Sequence, residues 1–167
     1  MKPAALSIIG WSGAGKTTLI RRLVPALRQR GLRVGVVKHS SHAHALHPEG
    51  RDTAAYAEVG AALVGLATPE GVQLSLPEPL DAGLSLLQPF ADRVELVLVE
   101  GWKDGPLPKL EVWREGLGPL LAASRPEVLA VVSAGPLPEG TRRFPPEDVE
   151  GLARFIHQRL NEGWRSP

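Results

Sequence analysis

Residues 10–17, Gly10-Trp11-Ser12-Gly13-Ala14-Gly15-Lys16-Thr17, fit the spacing G-x-x-x-x-G-K-[ST]. Each part of that spacing has a chemical reason. The glycines let the backbone wrap so that successive N–H groups point inward and form a nest for an anion at the start of a helix. A lysine next to the last glycine reaches the β- and γ-phosphates of a nucleotide, and the following hydroxyl ligates Mg²⁺. The expected phosphate-binding set is therefore Gly10, Ser12, Gly13, Ala14, Gly15, Lys16, Thr17 and Thr18. The alternative is a chance match on a glycine-rich turn. A strand-like run before the motif and a helical one after it argue against that.

Such a loop also needs an acid at the end of a neighbouring strand to hold the metal. Glu100 stands there, after Val97-Leu98-Val99 and before Gly101, and Asp52 is a second candidate beside Thr17. The competing reading of Glu100 is an ordinary strand-end acid. Lys38 and His39 close another strand, at the end where open α/β sheets bind ligands. His39, His42, His44 and His47 crowd one loop, but their spacing matches no standard zinc pattern. Phosphate or substrate contact by Lys38 and His39 is the expectation, with a metal on the histidine loop as the alternative. The turn Ser133-Ala134-Gly135 follows the last strand, which makes Ser133 and Ala134 candidates for contact with a base. No N-K-x-D run is present to read guanine.

The elements that must position these residues alternate between strand and helix. The pattern predicts strands over 4–9, 33–38, 94–100, 109–114 and 128–133, and helices over 17–30, 81–90 and 146–162. Leu19, Leu23 and Leu27 mark one face of the first helix, with Pro25 inside it and Gly31 as its stop. Asp52 should cap a short helix through Glu58. Strands over 60–67 and 72–76 should form a hairpin around Pro69-Glu70-Gly71. The expected architecture is α/β, a P-loop NTPase-like three-layer fold with a mostly parallel mixed sheet, in which residues 1–167 form a single nucleotide-binding domain.

Composition narrows the function. The chain lacks cysteine, which excludes disulfides, thiolate metal sites and a cysteine nucleophile. No apolar run approaches the roughly 20 residues needed to span a bilayer, and the chain enters its first strand without signal-peptide architecture. The expectation is a cytoplasmic protein with no membrane partner. The net charge of +1 conceals an asymmetry: residues 1–51 carry nine lysines and arginines against the single acid Glu49. Aromatics make up only 5% of the chain, too few to interleave with those cations as a nucleic-acid platform. Arg21, Arg22, Arg28 and Arg30 are therefore expected on a solvated helix face. Lys16, Lys38 and Arg51 are the cations expected at a phosphate site.

Three segments together resemble the molybdopterin-guanine dinucleotide biosynthesis protein B (MobB) family of P-loop GTP-binding proteins. They are Ile8 to Leu19, the loop Lys38-His39-Ser40-Ser41-His42 with Gly50-Arg51-Asp52-Thr53, and Glu100-Gly101-Trp102-Lys103 with Pro108-Lys109-Leu110-Glu111-Val112. The resemblance implies a GTP- and Mg²⁺-binding accessory protein with weak GTP hydrolysis. It would assist the nucleotidyltransferase MobA, which attaches GMP to molybdopterin, possible binding of molybdopterin itself included. It also implies a homodimer. Lys38, His39, His42, Arg51 and Asp52 would belong to the family's ligand loop, and Glu100 to its metal-binding strand end. Ser41, His47 and Glu49 depart from the family pattern, all outside the phosphate loop. Two rival readings are a small-molecule P-loop kinase using arginines near Arg142 and Arg143, and a metal-insertion GTPase using the loop from His39 to His47.

Overall fold

The computed structural model describes residues 3–40, 52–76 and 92–163. It divides into two compact units, one built from Met1–His39 and Ser85–Pro167 and the other from Ser40–Leu84. The first unit holds strands β1 (Ala4–Ile9), β2 (Val34–Lys38), β5 (Leu96–Glu100), β6 (Lys109–Val112), β7 (Val128–Val132) and β8 (Arg143–Phe144). They form one sheet in the order β2-β5-β1-β6-β7-β8, and each pairing in it is parallel. The hairpin does not join this sheet. It forms a sheet of its own, β3 (Val64–Thr68) with β4 (Gly71–Ser75), in the second unit.

Parallel strands need long crossovers, and helices α1 (Lys16–Gln29) and α3 (Val149–Asn161) cover one sheet face. Alternate strand residues point to them: Leu6 and Ile8, Leu96 and Leu98, Leu110 and Val112, Ala130 and Val132 all join one core cluster. The helices answer with Leu19, Leu23 and Leu27 from α1 and Leu152 and Ile156 from α3. Helix α1 runs on through Pro25 to Gln29. Two of its arginines are not the free surface cations expected. Arg22 donates to the Pro146 carbonyl at 2.9 Å, and Arg30 pairs with Glu150 at 3.0 Å, so both tie α1 to the start of α3.

Several boundaries differ from the expected ones for local reasons. Helix α3 starts at Val149 rather than Pro146, because Asp148 takes the N-cap position and sets the first turn. The Asp148 carboxylate accepts from the Gly151 N–H at 2.9 Å. Strand β3 starts at Val64 rather than Gly60, because the N–H groups of Gly60 and Ala61 bond back to Ala57 and Tyr56 and close helix α2 (Asp52–Glu58). Asp52 is the first residue inside α2. Strand β8 spans two residues before a proline pair, too short to leave a periodic signature. The expected helix over 81–90 lies outside the described residues.

The other face of the sheet buries two charged groups among apolar neighbours such as Ile9, Val97, Val99 and Val131. Lys109 and Glu111, both fully buried, stand two residues apart on β6. Lys109 donates to the carbonyls of Gly105 and Leu107 at 2.7 and 2.8 Å and pairs with Glu127 at 3.2 Å. Glu111 accepts from the N–H groups of Leu121 and Ala122 at 2.9 and 2.8 Å, holding the short 3-10 turn Leu121–Ser124. Such groups are costly to bury unless bonded, and expensive to strip of a partner. Lys109→Met should cost about 3 kcal/mol by leaving two carbonyls and an acid without their cation. Glu127→Gln, at the exposed end of the pair, should cost less than about 1 kcal/mol. Urea unfolding of the two variants measures the difference.

Candidate functional site

Strand β1 lies near the middle of the sheet, between β5 and β6, and the loop after it emerges at the strands' C-terminal ends. Gly10 makes the exit possible. Its φ is +143°, and a Cβ there would collide with the Val112 carbonyl oxygen. The chain then passes through Gly15, whose φ of +104° places it in the left-handed region, into α1. No side chain caps that helix, and its first turn carries no acid. Its leading N–H groups stay available to an anion.

Lys16 folds back over this loop. Its Nζ donates to the carbonyls of Gly10 and Trp11, each at 3.0 Å. Partial burial holds its ammonium below the usual lysine range, and nearby Lys103 and Lys38 push the same way against the opposing pull of Glu100. A repelled, partly desolvated cation of this kind is stabilised by an incoming anion. Thr17 Oγ1 donates to the Glu100 carboxylate, 2.9 Å from one oxygen and 3.0 Å from the other. A hydroxyl and a carboxylate thus meet at the mouth of the loop, an all-oxygen donor pair of the kind that suits Mg²⁺. The register explains the meeting, since Glu100 pairs with Ile8 on one side and Lys38 on the other.

The segment after Glu100 is held in an uncommon path. Gly101 takes φ +92°, with the His39 carbonyl 3.0 Å from where a Cβ would stand. Trp102 follows at φ +59°, a left-handed conformation rare for a bulky residue. Its ring stacks on His39 at 5.7 Å between centroids and 24° between planes. The Lys103 ammonium sits 4.4 Å above the ring of Trp11 in the phosphate loop. Arg125 secures the segment from below, donating to the Lys103 carbonyl at 2.8 Å and to Asp104 at 2.7 Å. That contact lowers the Asp104 carboxyl below its ordinary range. Trp11 is fixed in turn, its indole N–H donating to the Pro119 carbonyl at 2.8 Å.

A cavity of 450 Å³ opens beside the loop, lined by Gly15, Thr18 and Leu19 of α1 and by the ends of β6 and β7. Ser133 and Ala134 line it, which places the expected base-contact turn beside the phosphate loop. Ser133 is buried and shapes the turn, since its Oγ accepts from the Gly135 N–H at 3.1 Å. Lys38 and His39 stand at the end of β2, where the His39 N–H donates to the Glu100 carbonyl at 3.0 Å. Asp52 is exposed on α2 in the second unit. His42, His44, His47 and Arg51 lie outside the described residues. Neither Arg142 nor Arg143 is free to form a kinase lid: Arg142 packs over Phe155, and Arg143 donates into the Ser133–Gly135 turn.

Sequence reasoning did not single out Trp11, Trp102, Lys103, Arg125 or Lys109 for their contacts. All but Arg125 lie within segments that carry the family resemblance, but no spacing rule pairs an indole on one loop with an ammonium on another.

A strand, a glycine-rich turn and a helix, beside a strand ending in an acid bonded to the loop's threonine, define the P-loop nucleotide-binding class. Comparison with known proteins is more specific. The family model described as molybdopterin guanine dinucleotide synthesis protein B (MobB) matches residues 5–134, and the chain belongs to that family. It is 35% identical to the molybdopterin-guanine dinucleotide biosynthesis adapter protein of Escherichia coli over 162 residues, covering 90% of each chain. Identity to the adapter protein of the same name from Haemophilus influenzae is 36% over 158 residues, covering 93% of this chain and 89% of that one. The crystal structure of a MobB protein homologue from Bacillus stearothermophilus superposes with a TM-score of 0.65 at 26% identity, covering 95% of this chain and 98% of that one.

The path of the segment after β5 yields a stability test. Gly101→Ala puts a methyl against the His39 carbonyl at a positive φ and should destabilise the protein by about 1–3 kcal/mol, measured by urea unfolding.

Proposed function

We propose that this protein is a GTP-binding accessory protein of molybdenum cofactor maturation, assisting MobA in attaching GMP to molybdopterin. The observation that carries the nucleotide part is the contact of Thr17 with both oxygens of Glu100, across 83 residues of chain, at the mouth of a loop whose lysine, among the described residues, bonds only its own carbonyls. The assignment to cofactor maturation rests on family membership and on the name shared by the bacterial relatives.

In this reading the N–H groups from Gly10, Ser12, Gly13, Ala14 and Gly15 through Thr18 surround the phosphates of GTP. Lys16 leaves the Gly10 and Trp11 carbonyls for the β- and γ-phosphates. Thr17 and Glu100 hold Mg²⁺, which when bound offsets phosphate charge. Lys38 and His39 border the same mouth from the end of β2. The soluble character of the reading fits a cytoplasmic location, and no helix among the described residues is long and apolar enough to cross a membrane.

The second unit supports the homodimer. A two-stranded hairpin is marginal by itself, and this one leaves Leu66, Val72 and Leu74 exposed, with Tyr56 and Val59 exposed nearby in sequence. Pairing with a second copy would cover such a surface.

Isothermal titration with GTP, ATP and CTP in the presence of Mg²⁺ tests the nucleotide reading. Lys16→Ala should weaken GTP binding by at least about 100-fold, because a charge-assisted contact to the phosphates is lost. Unchanged affinity would remove the central claim, and a preference for ATP would remove the guanine assignment. Sedimentation of Val72→Lys tests the dimer: the wild type should run as a dimer, and the variant should dissociate at micromolar concentration.

A further inference from the structure

The guanine preference proposed above has no N-K-x-D run to support it, yet the cavity beside the phosphate loop has a composition of its own. Its hydrogen-bonding side chains include two arginines and one acid, Arg22, Arg114 and Glu115. Arg22 is already engaged, donating to the carbonyls of Pro146 and Glu147. Glu115 follows the end of β6, is exposed, and forms no ion pair with any described residue. It is the one carboxylate that lines the cavity among the described residues.

The neighbouring lip is the turn after β7, which leaves the sheet beside the end of β6, and its polarity has been set by another residue. Arg143 Nη1 donates to the carbonyls of Ser133, Ala134 and Gly135 at 3.4, 3.3 and 3.2 Å. Three successive acceptors are thus turned toward one guanidinium. The Ser133 N–H is used by Phe144, and the Gly135 N–H by Ser133 Oγ. The Ala134 N–H has no acceptor among the described residues, and Ala134 is exposed where the turn lines the cavity. The turn therefore offers a donor to the cavity, while its carbonyls are drawn toward Arg143.

These two lips match one base. Guanine carries two adjacent donors, N1–H and the 2-amino group, which a single carboxylate accepts together, and beside them the acceptor O6. Adenine places an amino donor where guanine has O6, and there it would face the Ala134 N–H with the neighbouring carbonyls occupied. Cytosine has no pair of adjacent donors for the carboxylate. Apolar walls from Leu19, Val112 and Val132 complete a cavity within the size range of small-molecule sites.

We propose that this cavity is the guanine-selecting site, with Glu115 accepting from N1–H and the 2-amino group and the Ala134 N–H donating to O6. The proposal rests on the GTP-binding reading and supplies its base recognition. Arg143 is a positioning residue that keeps the turn a donor.

The test is equilibrium binding of GTP, ITP, XTP and ATP with Mg²⁺ to the wild type, Glu115→Gln and Arg143→Met. On the wild type, ITP lacks the 2-amino group and should bind about tenfold more weakly than GTP. Glu115→Gln should lose at least about tenfold in GTP affinity and gain in the ratio of XTP to GTP, because the amide donates to the 2-oxo group where the carboxylate only accepted. Its ATP affinity should not change. Arg143→Met should narrow the GTP-to-ATP ratio by freeing the turn's carbonyls, a ratio that a general loss of stability would leave alone. Equal binding of ITP and GTP by the wild type overturns the Glu115 contact without any substitution. A GTP-to-ATP preference that survives intact in Glu115→Gln overturns the assignment while guanine binding itself stands. If the wild type does not prefer GTP over ATP, the GTP reading fails and this inference with it.

Discussion

The close approach of the Gly10 backbone to the Val112 carbonyl sets where everything else at this site can be. A strand between two parallel neighbours has only its C-terminal end from which to leave, and the leaving chain must pass the next strand without a side chain in the way. With Gly10 there, the chain turns within a few residues and delivers the first turn of α1 to the sheet edge. The N–H groups, Lys16 and Thr17 then arrive together at the ends of β5 and β6. From the same crossing, the cavity on the β6–β7 side and the acid on the β5 side fall to either hand of the loop.

The charges around that crossing are arranged by backbone rather than by direct pairing. Lys16 bonds carbonyls of its own loop, and Lys103 rests on an indole. Among the described residues neither is neutralised by a carboxylate at contact distance, although Glu100 is close enough to influence Lys16. Glu100 instead accepts from a neutral hydroxyl. Keeping cations and acid apart preserves both for a ligand that carries negative charge with a divalent metal. Ion pairs of the first unit lie elsewhere, among them Arg30–Glu150 and those along Lys109, Glu127, Arg125 and Asp104, where they hold elements in place.

Much of this could be read along the chain, because the governing rules are local. The P-loop spacing, the apolar runs of β1 and β5, the 3.6-residue pattern of Leu19, Leu23 and Leu27, and the hairpin around Pro69 to Gly71 all depend on neighbours in sequence. Glu100 meets Thr17 for a related reason, since a parallel sheet brings strand ends to one edge. Other features could not be read that way. Arg22 and Arg30 look like solvated helix cations until α3 is folded against α1. Lys109 and Glu111 look like the exposed positions of an edge strand, although the sheet buries both. Trp102 stacking on His39, and Lys103 over Trp11, depend on two loops meeting, and no periodicity encodes such a meeting. The separate hairpin sheet was hidden for the converse reason, because local pattern shows a strand but not the sheet it will join.

Lys109 has a consequence for how this family can change. Its ammonium grips main-chain oxygens of Gly105 and Leu107, and so it is indifferent to the side chains that the loop displays. Evolution can therefore alter the surface of that loop, and with it whatever the loop touches, without renegotiating its path. The anchor and the display are separate, one written in a strand of the sheet and the other in the loop before it.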